Sequence, residues 1–206
     1  SICNDASGNI WFCTEDGWLN RLSPQNNQVK NYQITEELNM QGLVMDNDML
    51  WICSYGKGLH KFDINRERVI RRYEFPSDRV STGLKTKDGD IFIGTAAGLY
   101  IYVPENDSFR SIEDLKNSFI HCMYQDRSGT IWIGTYGDGM YRMDRKGKII
   151  SHIVPGKDKD DYGLTSRFIT SFFEDSRHRI WVMTEGGGVC YADAVNDSAG
   201  NRYYKN

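Results

Sequence analysis

The chain has 206 residues, with 25 Lys and Arg against 28 Asp and Glu, for a net charge of −3. That balance excludes a phosphate-neutralising surface, and with it nucleic acid as a partner of this segment. No run approaches the roughly 18 apolar residues of a membrane helix. Twenty Gly, 12 Tyr and only 4 Pro suit many short strands joined by turns.

The first residues, Ser1-Ile2-Cys3, read as a strand with no leader before them, so the chain is expected to be an excerpt of a longer protein. A tight turn, "DASGN", leads to Trp11, then Thr14, the turn "EDGW" and Leu19. The same order returns around Trp51, Phe92, Trp132 and Trp181, at successive spacings of 40, 41, 40 and 49 residues. The hydroxyl residue recurs as Ser54, Thr95, Thr135 and Thr184. The glycine turns are "YGKG", "AAG", "YGDG" and "EGGG", each followed by Leu59, Leu99, Met140 or Val189.

The fourth unit shows how such a repeat folds. "FIHCMYQD" alternates as a first strand, "DRSG" turns it, and "TIWIGT" is a second strand apolar nearly throughout. "YGDG" leads to a third strand, "MYRMD", and "RKG" to a fourth, "KIISHIV". Four antiparallel strands in 40 to 45 residues are the sequence form of a β-propeller blade. The predicted fold is all-β, with five blades near 1–39, 40–77, 78–116, 117–163 and 164–206. The Gly-Asp-Gly of "IWIGTYGDGMYRMD" is a hairpin turn and not a nucleotide loop, because no helix pattern follows it.

Five cysteines, Cys3, Cys13, Cys53, Cys122 and Cys190, are odd in number and lack CxxC spacing, which points to buried thiols acting as small hydrophobes. His60, His121, His152 and His178 show no metal-ligand spacing. Neither a metal nor a cofactor is expected. The recurring Trp residues are expected to pack between blades, and the recurring hydroxyls to bond backbone.

The pattern Asp-x-x-Gly-x-Ile-Trp-Ile-Gly-Thr, best seen in "DRSGTIWIGTYGDGMYRMD", resembles the two-component regulator propeller repeat. The stretch "VPGKDKDDYGLTSRFITSFFEDSRHRIWVMT" is also similar to it, with an exposed connection expected at "GKDKDDYG" and Tyr162 tucked beneath. The third unit departs from the pattern, with a shortened turn and Phe92 in place of Trp. The resemblance implies the periplasmic sensor portion of a Bacteroides-type hybrid two-component system. Such sensors join two seven-bladed propellers and an immunoglobulin-like sandwich, by a membrane helix, to a histidine kinase. Oligosaccharides are the implied ligands. Five blades would then be part of a seven-bladed ring, completed by the remaining propeller and sandwich domains of the same polypeptide. A closed five-bladed ring and a homodimer stay open.

Ligand-binding loops concentrate where rigid elements position them. The residue after each hydroxyl forms an expected ring at the channel mouth: Glu15, Tyr55, Ala96, Tyr136 and Glu185. Two aromatics with two carboxylates suit a sugar, which stacks an apolar face and donates hydroxyls. Trp18 joins the candidates because it stands where Gly58, Gly139 and Gly188 stand in other units. Asp138 and Lys57 occupy equivalent turn tips. The segment is expected not to be an enzyme. The alternatives are a propeller lyase or glycan-cleaving enzyme, using carboxylates such as Glu15 and Glu185, and a protein-interaction scaffold.

Overall fold

The computed structural model describes residues 1–34, 39–156, 164–196 and 202–205. The described residues form five four-stranded antiparallel sheets, each running in simple sequence order. The first holds β1 (Ile2–Asn4), β2 (Ile10–Cys13), β3 (Trp18–Ser23) and β4 (Gln28–Gln33). The second holds β5 (Met40–Asp46), β6 (Met49–Ser54), β7 (Gly58–Asp63) and β8 (Arg68–Tyr73). The third holds β9 (Val80–Lys85), β10 (Ile91–Thr95), β11 (Gly98–Val103) and β12 (Ser108–Ser111). The fourth holds β13 (Ile120–Gln125), β14 (Ile131–Thr135), β15 (Met140–Met143) and β16 (Ile149–Ile153). The fifth holds β17 (Ile169–Glu174), β18 (Ile180–Thr184), β19 (Gly188–Asn196) and β20 (Arg202–Lys205). No helix among the described residues is long and apolar enough to cross a membrane. The connection at 157–163, with Tyr162, lies outside the described residues.

The chain divides into two compact units, Ser1–Arg110 and Ser111–Asn206. In the first, β5 packs against β1 on one side and β9 on the other; in the second, β13 packs on β17. Core residues therefore sit between consecutive sheets. Trp11, Leu19, Leu43, Leu50 and Phe62 fill the first layer, Trp51, Cys53, Leu59, Val80 and Ile93 the second. In the second unit Trp132, Met140, Ile169, Phe172 and Val182 do the same. A four-stranded sheet has two faces to cover, so each needs neighbours, as the repeated apolar second strands demand.

The recurring residues divide the labour. Every hydroxyl donates to the carbonyl at the start of its third strand: Thr14 to Trp18, Ser54 to Gly58, Thr95 to Gly98, Thr135 to Gly139 and Thr184 to Gly188. This closes the hairpin and satisfies a polar group in the core, as expected from sequence. Trp11 meets Phe62, Trp51 meets Tyr102 and Phe109, and Trp132 meets Phe172, in each case across to the next sheet. Trp181 departs from the expectation. It is half-buried, and its ring meets Tyr191 of its own sheet at 4.9 Å.

Two further devices recur. Asp5, Asp126 and Asp175 each accept the indole N–H of the Trp six residues on, at 2.9 Å, while also accepting turn amides. The third sheet has Thr86 and Phe92 at these places, so acceptor and donor are lost together. In the second sheet the turn is one residue shorter, and the Trp51 indole N–H has no partner. The other device binds sheets together in the first unit. Glu67 accepts Tyr32 at 2.9 Å and pairs with Arg21 and Lys30 of the preceding sheet. Asp107 does the same for Tyr73 at 2.6 Å, with Lys61 and Arg71. Both acidic residues have a left-handed backbone, φ 54° and 51°, that turns the chain toward its neighbour.

The cysteine expectation holds in part. Cys53 and Cys190 are buried, and burial pushes their thiols up to about 12 and about 11. Cys3, Cys13 and Cys122 are only half-buried. Cys3 and Cys13 pack against the first apolar layer and Cys122 against that of the second unit, so these three border the cores without being fully enclosed by them.

Candidate functional site

Backbone bonds gather the second-to-third-strand turns with the connections entering first strands. The N–H of Tyr55 donates to Asn39 O, that of Ala96 to Arg79 O, that of Tyr136 to Phe119 O and that of Glu185 to Phe168 O. Each acceptor immediately precedes a first strand. The turn residues singled out from the sequence thus each stand beside a second residue 16 or 17 positions earlier. Turns also reach the next sheet: Asn39 donates to Glu15 O, and Gly137 and Gly139 donate to Arg167 O.

A bulge follows at once in four of the sheets. In the fourth, the register steps from Ile120↔Thr135 to Cys122↔Gly134, leaving His121 with no residue opposite. The same step leaves out Gln41, Ser81 and Thr170. A bulge breaks the two-residue alternation and re-aims one side chain, which is why such features cluster at functional surfaces. All four re-aimed residues are polar.

In the second unit this geometry builds an aromatic shelf. Tyr136 and Phe168 form an isolated antiparallel bridge, and their rings meet edge to face at 4.8 Å. They are 44% and 39% exposed, unusual for large apolar rings held in a defined contact. Phe119 supports Tyr136 from behind at 5.6 Å, and the His121 ring lies 5.8 Å from it. Burial pushes the His121 imidazole below its usual value, and the charge of Glu185 pulls it partly back. The imidazole is therefore neutral near pH 7, and its Nδ1 is buried without a hydrogen-bond partner. Glu185, exposed, completes the group through its backbone bond to Phe168. Two rings offer an apolar face, and a carboxylate beside them is a pure acceptor.

Comparison with known proteins fits these two stretches. The family model described as "Two component regulator propeller" matches residues 114–137 and 163–186, which contain Phe119, His121, Tyr136, Phe168 and Glu185. The chain carries two-component regulator propeller repeats. The chain is 27% identical over 195 residues to a protein named histidine kinase P4 of Formosa agariphila, covering 91% of this chain and 12% of that protein. Its fold is similar to the extracellular domain of the putative hybrid two-component system BT3049 of B. thetaiotaomicron, at 22% identity and a TM-score of 0.79. That match covers 92% of this chain and 26% of the other. The fold also resembles virginiamycin B lyase of Staphylococcus aureus, at 13% identity and a TM-score of 0.73, over 99% of this chain and 68% of that one. The chain thus spans about an eighth of the length of its kinase relative.

The residues singled out from the sequence fall into separate groups. Tyr136 and Glu185 come together, joined by Phe168. Glu15 and Tyr55 flank Asn39 in the first unit, Glu15 exposed and Tyr55 half-buried. Trp18 is half-buried at the head of β3, where its carbonyl accepts Thr14. In the equivalent places Gly58 and Gly139 have positive φ, and a Cβ there would run into the backbone of Tyr73 and Ile153. Asp138 is engaged locally: its carboxylate accepts the Tyr141 hydroxyl at 2.5 Å and lies 3.5 Å from His152 Nε2. Among the described residues no group of His, Cys, Asp and Glu is placed to hold a metal ion. Sequence reasoning missed Phe119, His121 and Phe168. The 17-residue offset from turn residue to pre-strand residue was the signal that could have found two of them.

Proposed function

We propose that this propeller segment is the ligand-recognising part of a periplasmic sensor in a hybrid two-component system. It binds oligosaccharides and signals to a histidine kinase elsewhere in the same polypeptide. The repeats and the kinase relative support the system; the shelf of Tyr136 and Phe168 beside Glu185 carries the ligand reading. A sugar ring has one apolar face and a rim of hydroxyls, and the shelf offers a partner to each. Glu15, Trp18, Tyr55 and Asp138, on the equivalent turns, extend the proposed contact set. In this reading further sheets of the polypeptide complete a seven-bladed ring, neighbouring propeller and sandwich domains pass the signal on, and a homodimer pairs two kinases.

The experiment is calorimetric titration of the purified chain with a glycan panel, followed by chromatography of the mixtures. Saturable binding with the glycan recovered intact is expected. Recovery of shortened or unsaturated products would replace the sensor reading with a lyase or hydrolase. A protein partner captured with no glycan bound would favour a scaffold.

A further inference from the structure

We propose that the shelf in the second unit is selective for uncharged sugar rings and rejects uronic acids and sulfated sugars. This rests on the oligosaccharide reading above and adds the charge class of the ligand. The turns and pre-strand residues that form the shelf carry Glu185 and Asp138 against Arg167, and the described connection leading to Phe119 adds Glu113 and Asp114 against Lys116, itself paired with Glu113, so acidic groups outnumber basic ones. Asp138 is engaged locally, its carboxylate accepting the Tyr141 hydroxyl. Glu185 is exposed and close enough to His121 for its charge to act on the imidazole. That imidazole is held neutral by burial, so it supplies no positive charge to a ligand anion.

A carboxylate has lone pairs and no proton to give, so it orients a hydroxyl-bearing ring by accepting from it. An anionic sugar stacked on Tyr136 and Phe168 would bring its own charge beside Glu185 and leave both unpaired. It would also meet the negative faces of two aromatic rings, which attract cations and repel anions. Each term disfavours the same class of ligand. The bulge at His121 matters here. It breaks the two-residue alternation of β13 at His121, whose ring stands 5.8 Å from that of Tyr136.

The test compares the wild-type chain with Glu185→Gln and Tyr136→Ala, by calorimetry at about 20 mM and about 150 mM salt. The probes are neutral hexasaccharides (cello-, manno- and galacto-series), oligogalacturonate, and a heparin-derived hexasaccharide. Wild type is expected to prefer its best neutral probe over the anionic ones by on the order of tenfold at low salt, less at high salt. Glu185→Gln should shrink that preference to about threefold or less, and Tyr136→Ala should weaken all probes together. An anionic probe that binds wild type as tightly as the best neutral one would overturn the charge selectivity while leaving the oligosaccharide reading intact. So would a preference that Glu185→Gln does not change. Failure of every probe to bind, with the fold intact by circular dichroism, would remove the oligosaccharide reading itself.

Discussion

Removing the carboxylate of Asp126 should destabilise the second unit mainly by orphaning the Trp132 indole. Asp126 is 1% exposed and Trp132 fully buried, so water cannot replace a lost partner. Asp126 accepts the indole N–H at 2.9 Å, the Thr130 amide at 3.0 Å and the Ser128 hydroxyl at 2.6 Å. A buried donor left unsatisfied costs about 1–3 kcal/mol, and the turn bonds contribute roughly another 1 kcal/mol. Asp126→Ala should therefore cost about 2–4 kcal/mol in urea unfolding followed by far-ultraviolet circular dichroism. In a Trp132→Phe background no donor remains to be orphaned. The same Asp126→Ala change should then cost only about 1 kcal/mol, leaving a coupling of about 1–3 kcal/mol in the double-mutant cycle. The third sheet already carries the paired replacement, Thr86 with Phe92. Equal costs in both backgrounds would refute the reasoning, because the indole bond would then contribute nothing.

His60, 1% exposed, provides a pH-dependent test: burial, with Arg72 beside it, pushes its imidazole down to about 4. The unfolded chain then binds more protons between pH 4 and 6.5, so stability should be complete above about 6.5 and fall by roughly 3 kcal/mol as pH drops to about 4. His60→Asn, the residue type at the equivalent Asn20, should flatten that part of the pH profile; an unchanged profile would contradict it. Burial alone would raise the Asp107 carboxyl, but the hydroxyls of Tyr102 and Tyr73 with Lys61 more than offset this and hold it well below its usual range. Asp107→Asn should destabilise the first unit by about 1–2 kcal/mol, with the effect smaller in about 1 M salt because Arg71 is half exposed. Urea midpoints at the two salt concentrations check it.

The strands and their order were legible because the relevant forces are local. Apolar second strands, hydroxyl-closed turns and glycines with positive φ repeat every 40 residues or so, and each acts within its own hairpin. The sheet-to-sheet contacts were not legible in the same way. Glu67 reaches Tyr32 and Asp107 reaches Tyr73 across 35 and 34 residues, and nothing near Glu67 or Asp107 in sequence announces a partner. His121 was hidden by the bulge, since strict alternation along "FIHCMYQD" assigns its side chain to the wrong face. Phe119 and Phe168 looked like ordinary strand-leading hydrophobes. Only their backbone bonds to Tyr136 and Glu185 reveal that they border a turn. Tyr136 and Glu185 were singled out because the repeat frame placed them at one position in every unit.

The most direct measurement is the affinity of the best-binding oligosaccharide for a Tyr136→Ala, Phe168→Ala double variant. Both side chains are well exposed, so the fold should persist by circular dichroism. Stacking on each ring is worth about 0.5–1.5 kcal/mol beyond area, so loss of both should weaken binding by about 5- to 150-fold. Affinity equal to wild type, in a variant that folds, would contradict the shelf as the ligand site.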